Sequence, residues 1–151
     1  MPLDATAFGY VTDLWDENDG TGAFVKVGGF AVWGTAGGAM TPGNAIVVST
    51  AADDTYLTTT SANSVAGAGF VVAGLGTYGW DYISAIVSGQ KILVLRRGVV
   101  LATASAAITR GDRVGTSTTA GRVATTTTQD AALGRALQAA TANGDQIRVL
   151  V

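Results

Sequence analysis

One stretch of this sequence occurs twice, and any fold proposed for the chain has to accommodate that repetition. TPGNAIVVSTAADDTYLTTT at residues 41–60 returns as TRGDRVGTSTTAGRVATTTT at residues 109–128. Aligned without gaps, the copies share Thr41 with Thr109, Gly43 with Gly111, Ser49 with Ser117, Thr50 with Thr118, Ala52 with Ala120, and a closing run of threonines. Each copy then ends alike, SGQKILVL at residues 88–95 against NGDQIRVL at residues 143–150. Threonine, valine and isoleucine are stiff at χ1 and fit a pleated sheet, so the repeated unit reads as strands. Pro42-Gly43 and Asn143-Gly144 read as turns between them. The expectation is an all-β protein of two related small β-barrel or β-sandwich-like subdomains, preceded by an N-terminal arm. Residues 1–39 form the arm and first strand, residues 40–97 the first repeat and residues 98–151 the second.

Individual strands follow from local patterns. Residues 24–33, FVKVGGFAVW, suit a strand with a bulge or bend at Gly28-Gly29. Residues 34–44 read as a loop. Residues 45–50, 55–60 and 69–73 are strand candidates, with Asp53 and Asp54 forming the turn between the first two. Residues 91–97 and 98–102 form two further strands. The second copy places strands at 113–117, 122–127, 133–138 and 146–151. Residues 130–141 also carry helical spacing behind an Asp cap. Gly134, the short length and the β-branched counterpart at residues 66–74 favour a strand with one helical turn.

The copies are unequal. Gly43 and Gly89 lie 46 positions apart, whereas the matching Gly111 and Gly144 lie 33 apart. Much of the extra length falls in GLGTYGWDYISAI at residues 74–86, the densest aromatic cluster in the chain. Insertions into repeats map to loops on one face, often the binding face. Aromatic side chains combine large contact area with a polar handle and are enriched at interfaces. The candidate partner-contact residues are therefore Tyr78, Trp80 and Tyr82 in the insertion, Trp15 in the arm, and Trp33.

The composition closes off most chemistry. The chain has 151 residues, no cysteine and no histidine. Disulfides, thiolate nucleophiles, histidine bases and nitrogen or sulfur metal ligands are therefore absent. Gly74, Gly76 and Gly79 spell G-x-G-x-x-G, but no helix or later acidic residue follows as a dinucleotide site requires. Asp16, Asn18 and Asp19 resemble the opening of a calcium loop, yet Gly20 falls one position early and Val27 stands where a bidentate glutamate belongs. An incidental cation at that acidic turn is the most it supports. The reading is a chain with no cofactor and no catalytic residues.

Charge and hydropathy bound the partners. The net charge is −2, and apart from Arg96-Arg97 the arginines at 110, 113, 122, 135 and 148 are spaced singly. They read as solvated or ion-paired strand positions, which argues against nucleic acid as a partner. No secretory signal and no membrane-spanning run is expected. With 21 glycines and 7% aromatic residues, ordering is costly and the core is built of small side chains. Association is expected to supply part of the stability.

From residue 98 onward the sequence resembles the capsid decoration, or cement, proteins of tailed bacteriophages. The resemblance rests on Gly111-Asp112-Arg113-Val114, on Gly121 in the following turn, on Gly134-Arg135-Ala136, and on Gly144-Asp145-Gln146-Ile147-Arg148-Val149 near the C-terminus. It covers about the last third of the chain well and the first half only through the internal repeat. It implies a structural virion protein on the capsid surface, made in the host cytoplasm and binding the major capsid protein. Self-association is implied too, as a homotrimer or alternatively a dimer. Gly-Asp turns between short strands also occur in β-clip enzyme domains and biotin-carrier-like barrels; neither Lys26 nor Lys91 sits in the hairpin tip that a biotin carrier needs. A β-rich binding module, such as a fibre, adhesin or carbohydrate-binding domain, is the alternative from another class.

Overall fold

The computed structural model describes residues 9–11 and 24–151, so Trp15 and the Asp16–Asp19 turn lie outside the described residues. It is nearly all β, with a single short 3₁₀ turn at Gln129–Ala131 among them. The strands are β1 (Gly9–Val11), β2 (Phe24–Ala36), β3 (Ala45–Val48), β4 (Thr55–Leu57), β5 (Gly67–Gly76) and β6 (Gly79–Asp81). They continue as β7 (Lys91–Thr103), β8 (Arg113–Thr116), β9 (Val123–Thr125), β10 (Gly134–Ala136) and β11 (Gln146–Leu150).

Five of these strands close on themselves. The hydrogen-bonded order β2-β4-β3-β5-β7 returns to its start because β7 also pairs with β2, antiparallel from Phe24–Val100 to Thr35–Lys91. The second copy repeats the order as β9-β8-β10-β11-β7, and an isolated parallel bridge from Ala104 to Val123 completes the ring. That bridge is the counterpart of the parallel contact of Thr35 and Ala36 with Thr55 and Tyr56 in the first unit. Strand β7 thus belongs to both units. Closure removes most free sheet edges, which would otherwise template pairing with other chains.

The repeat is visible at the level of single hydrogen bonds. At Thr41–Asn44, the Asn44 N–H donates to the Thr41 carbonyl at 3.1 Å, and the Thr41 N–H donates to Asn44 Oδ1 at 2.9 Å. At Thr109–Asp112 the same two bonds recur at 3.1 Å each. The third residue of each turn, Gly43 or Gly111, has φ of 92° or 93°, the left-handed position a type II turn demands. The closing turns Val87–Gln90 and Ala142–Asp145 reuse this design, with Gln90 Oε1 and Asp145 Oδ2 accepting the first N–H. Only Gly144, not Asn143, has positive φ, so this Asn-Gly does not form the tight hairpin turn with two left-handed residues that the dipeptide suggests. Asp145 also accepts from Thr141 N–H and Oγ1–H, and these bonds hold its carboxyl below the usual range.

The apolar runs at residues 69–73 and 92–95 are continuous rather than alternating because both faces are buried. On one face Phe70, Leu93 and Leu95 cluster with Val100, Ala102, Val114, Ile147 and Val149. On the other, Val71, Ile92 and Val94 cluster with Met40, Ile46, Tyr56 and Ile86. A seam of polar contacts also joins the units. Thr116, only 1% exposed, donates its hydroxyl to the Ser61 carbonyl at 2.8 Å and accepts the Ser64 N–H at 2.9 Å.

Several elements differ from the local reading. Strand β2 runs on to Ala36, through the first residues of the expected loop, because Thr35 and Ala36 pair with β4. Its bulge lies between Val25 and Ala31, as Gly28-Gly29 suggests. Residues 91–97 and 98–102 form one strand, since Gly98 takes φ of 131° and lets β7 bend instead of stopping. The threonines at 58–60 and 126–128 lie outside strands: Thr59 and Thr126 spend their hydroxyls on neighbouring backbone groups. Residues 129–136 contain one 3₁₀ turn followed by β10, with no α-helix.

Candidate functional site

The insertion that distinguishes the first repeat is a hairpin rather than a loop. Strand β5 continues to Gly76, Thr77 and Tyr78 form the tip, and β6 returns with Leu75 opposite Trp80 and Gly74 opposite Asp81. The G-x-G-x-x-G glycines therefore serve a β-turn: Gly76 pairs with Gly79, whose φ is 127°. Asp81 then fixes the chain that follows. Its Oδ1 accepts the N–H groups of Ile83 at 2.8 Å and Ser84 at 2.9 Å. Together with a bond from the Ser84 side chain, these depress the Asp81 carboxyl below its ordinary value.

Three of the predicted contact residues lean on one core cluster. Trp80 and Tyr82 are half-buried and pack against the larger core cluster, as does Trp33 from β2. Lys91, two residues before Leu93, the cross-strand partner of Trp33, places Nζ 4.0 Å from the Trp33 ring centroid in a cation–π contact. Tyr78 is different: it is 100% exposed at the tip. Tyr78, Trp80, Tyr82 and Ile83 line an open concavity of about 310 Å³. Ile83 in that lining is 59% exposed, and Val87 further along the chain is 64% exposed. Sequence reasoning misses these two because single aliphatics in a glycine- and serine-rich stretch carry no signal of their own.

Burial pushes the Tyr82 phenol up to about 12. Its folded value lies above the unfolded value near 10, so its contribution to stability is intact below about pH 10 and is lost as pH rises toward 12. Thermal unfolding between pH 9 and 12 should therefore fall more steeply for the wild type than for Tyr82→Phe. Because the ring is only half-buried, the difference should stay below the limit of roughly 1.4 kcal/mol per pH unit. Equal slopes for the two proteins would show that the phenol is effectively solvated.

Among the described residues there is no grouping of three or more His, Cys, Asp or Glu side chains that could hold a metal ion. No described helix is long and apolar enough to cross a membrane. What the site offers is a fully exposed tyrosine at a hairpin tip beside an open concavity lined by Trp80, Tyr82 and Ile83.

Comparison with known proteins gives the context. Among solved structures, the chain is similar to the N base of head fiber gp8.5 in bacteriophage phi29, with a TM-score of 0.54 and 14% sequence identity. The match covers 80% of this chain and 92% of that one, and at this identity it is a likeness of fold. No curated protein sequence matches. The family model described as phage cement protein matches residues 56–151, reaching back beyond the second unit into β4–β7 of the first. With well over half of its length so matched, the chain belongs to the phage cement protein family and is a structural protein of the phage virion.

Proposed function

We propose that this protein binds the outer surface of an icosahedral phage capsid and stabilises contacts between neighbouring major capsid protein subunits, with no catalytic step. The observation that carries the reading beyond family membership is the β5–β6 hairpin. It is present in only one of two otherwise matching units, and it raises Tyr78 fully into solvent from a closed barrel. An aromatic residue held on a rigid element contributes contact area at little ordering cost. In this reading residues 40–97 carry the grip, residues 98–151 the plain scaffold, and the protein acts as a homotrimer. Several modest contacts on one rigid body then add as a multivalent attachment.

The test is binding to capsids stripped of this protein. The wild type should sediment as an oligomer, bind expanded capsids in preference to precursor shells, and raise the temperature at which they break open. Tyr78→Ala should weaken binding about tenfold or more, as hot-spot aromatics do, without lowering the protein's own melting temperature. A monomer that leaves capsid disruption unchanged overturns the reading. Saturable glycan binding lost with Trp80→Ala would favour a carbohydrate-binding role for the same concavity.

A further inference from the structure

Strand register assembles an arginine–leucine face that the sequence scatters. In β10, Arg135 lies directly opposite Arg113 of β8 on one side and Leu150 of β11 on the other. One row along, Arg148 of β11 pairs with Leu101 of β7, and its carbonyl accepts the Leu137 N–H at 2.8 Å. Residues directly opposite on neighbouring strands share a face, and alternate residues along a strand share it too. The residues between them, Val114, Ala136, Ile147, Val149 and Val100, all point into the core. The outer wall of the second unit therefore presents Arg113, Arg135 and Arg148 interleaved with Leu101, Leu137 and Leu150. Arg135, Leu137 and Leu150 are exposed and the other three half-buried.

This arrangement costs the isolated protein something. Like charges placed directly across a strand pair are destabilising, and Arg113 and Arg135 are such a pair. The nearest carboxylate in sequence, Asp112, is already engaged, with Oδ2 accepting from Thr109 N–H and Thr125 Oγ1–H. Arg135 spends one N–H on the Gly111 carbonyl at 3.0 Å. The imbalance extends beyond the patch: from residue 96 to the C-terminus the chain carries seven arginines against three aspartates, although its overall net charge is −2. Two like-charged patches would repel, so the face does not suit an isologous contact with a second copy.

We propose that this wall docks an acidic, apolar-flanked strip of the capsid protein, separately from the aromatic hairpin. The partner presents carboxylates at strand-like spacing with aliphatic side chains between them. Arginine is suited to that role because its planar fork bonds carboxylates bidentately and is weakly hydrated. The interleaved leucines favour a protein over a phosphate backbone, which offers them nothing. The proposal rests on the capsid-binding reading and deepens it by giving the protein a second, chemically different contact.

Two measurements test it. In the first, stripped expanded capsids are titrated with wild type, Arg113→Glu/Arg135→Glu and Arg113→Thr. The double reversal should weaken binding at least tenfold at low salt, with the gap to wild type closing at high salt as screening removes the electrostatic part. Arg113→Thr should weaken binding while leaving the melting temperature equal or higher, since it relieves the like-charge pair. In the second, the protein is titrated by NMR with a peptide of alternating Glu and Leu and with duplex DNA. Shifts centred on Arg113, Arg135 and Arg148 with the peptide, together with capsid binding weakened by charge reversal, support the proposal; the same shifts from a wild type that fails to bind capsids overturn the capsid protein as the partner and leave only the face's preference for an acidic, apolar strip. Tighter binding of DNA at these residues overturns it in favour of nucleic acid. Capsid affinities that do not change on charge reversal, with no peptide shifts at the three arginines, overturn it outright.

Discussion

Alanine at position 69 is expected to remove about 3–5 kcal/mol of folding stability, a large share of what a domain of this size has. Gly69 lies in β5 with φ of 128°, a conformation that L-residues essentially do not adopt. A Cβ there would also run into the backbone carbonyl oxygen of Leu95 on β7, and backbone cannot step aside as a flexible side chain can. Both effects act where β5 joins β7, one of the pairings in the ring of the first barrel. Gly111 separates the two contributions. Its φ of 93° is equally left-handed, but a Cβ at that position would meet nothing within 4 Å. Gly111→Ala should therefore cost only the conformational part, about 1–2 kcal/mol. Urea unfolding of the two variants measures the difference; equal losses would mean that the approach of β5 to β7 is not tight.

Thr116→Val should cost about 2 kcal/mol although it conserves shape. The substitution leaves the Ser64 N–H and the Ser61 carbonyl without the hydroxyl that serves both, and leaving such groups unpaired costs about 1–3 kcal/mol. Thr116→Ser keeps the oxygen and should recover most of the loss. The effect should be local first. Amide exchange at Ser64 should quicken in Thr116→Val before global stability is much reduced, because the bond ties a loop of the first unit to a strand of the second. Unchanged exchange at Ser64 would show that the loop is held by other contacts, such as the 3.0 Å bond from the Asn63 N–H to the Thr116 carbonyl.

Much of this architecture is legible in the sequence, and the limits of legibility are physical. The repeat registers because identical turns need identical residues: Gly43 and Gly111 supply the left-handed position, and Asn44 and Asp112 supply the side-chain oxygen that closes each turn. The all-β character follows from the β-branched runs. The joining of residues 91–103 into one strand does not, because Gly98 in a sequence signals a break as readily as a bend. The hairpin at residues 74–81 is hidden for a similar reason, since its tip, Thr77-Tyr78, lacks the Asn-Gly or Asp-Gly signature. The arginine–leucine wall is the least legible feature. Arg113, Arg135 and Arg148 stand far apart in the chain and become neighbours only through cross-strand register, which no local pattern encodes. The aromatic residues Tyr78, Trp80 and Tyr82 are close in sequence, so their proximity is readable; that Tyr78 stands fully clear of the barrel while its companions lean on the core is not.

The sharing of β7 has a mechanical meaning. One continuous strand serves as a stave in both barrels, flanked by β5 along one length, by β11 along the other, and by β2 from Lys91 to Val100. No soft joint separates the two units. A load applied between the aromatic hairpin and the arginine wall passes along the backbone of β7. The bonds on either side of it are then strained together, in shear, rather than being peeled apart one after another. Under the capsid binding proposed above, such a member would behave as a splint, holding the aromatic hairpin and the arginine wall at a fixed separation.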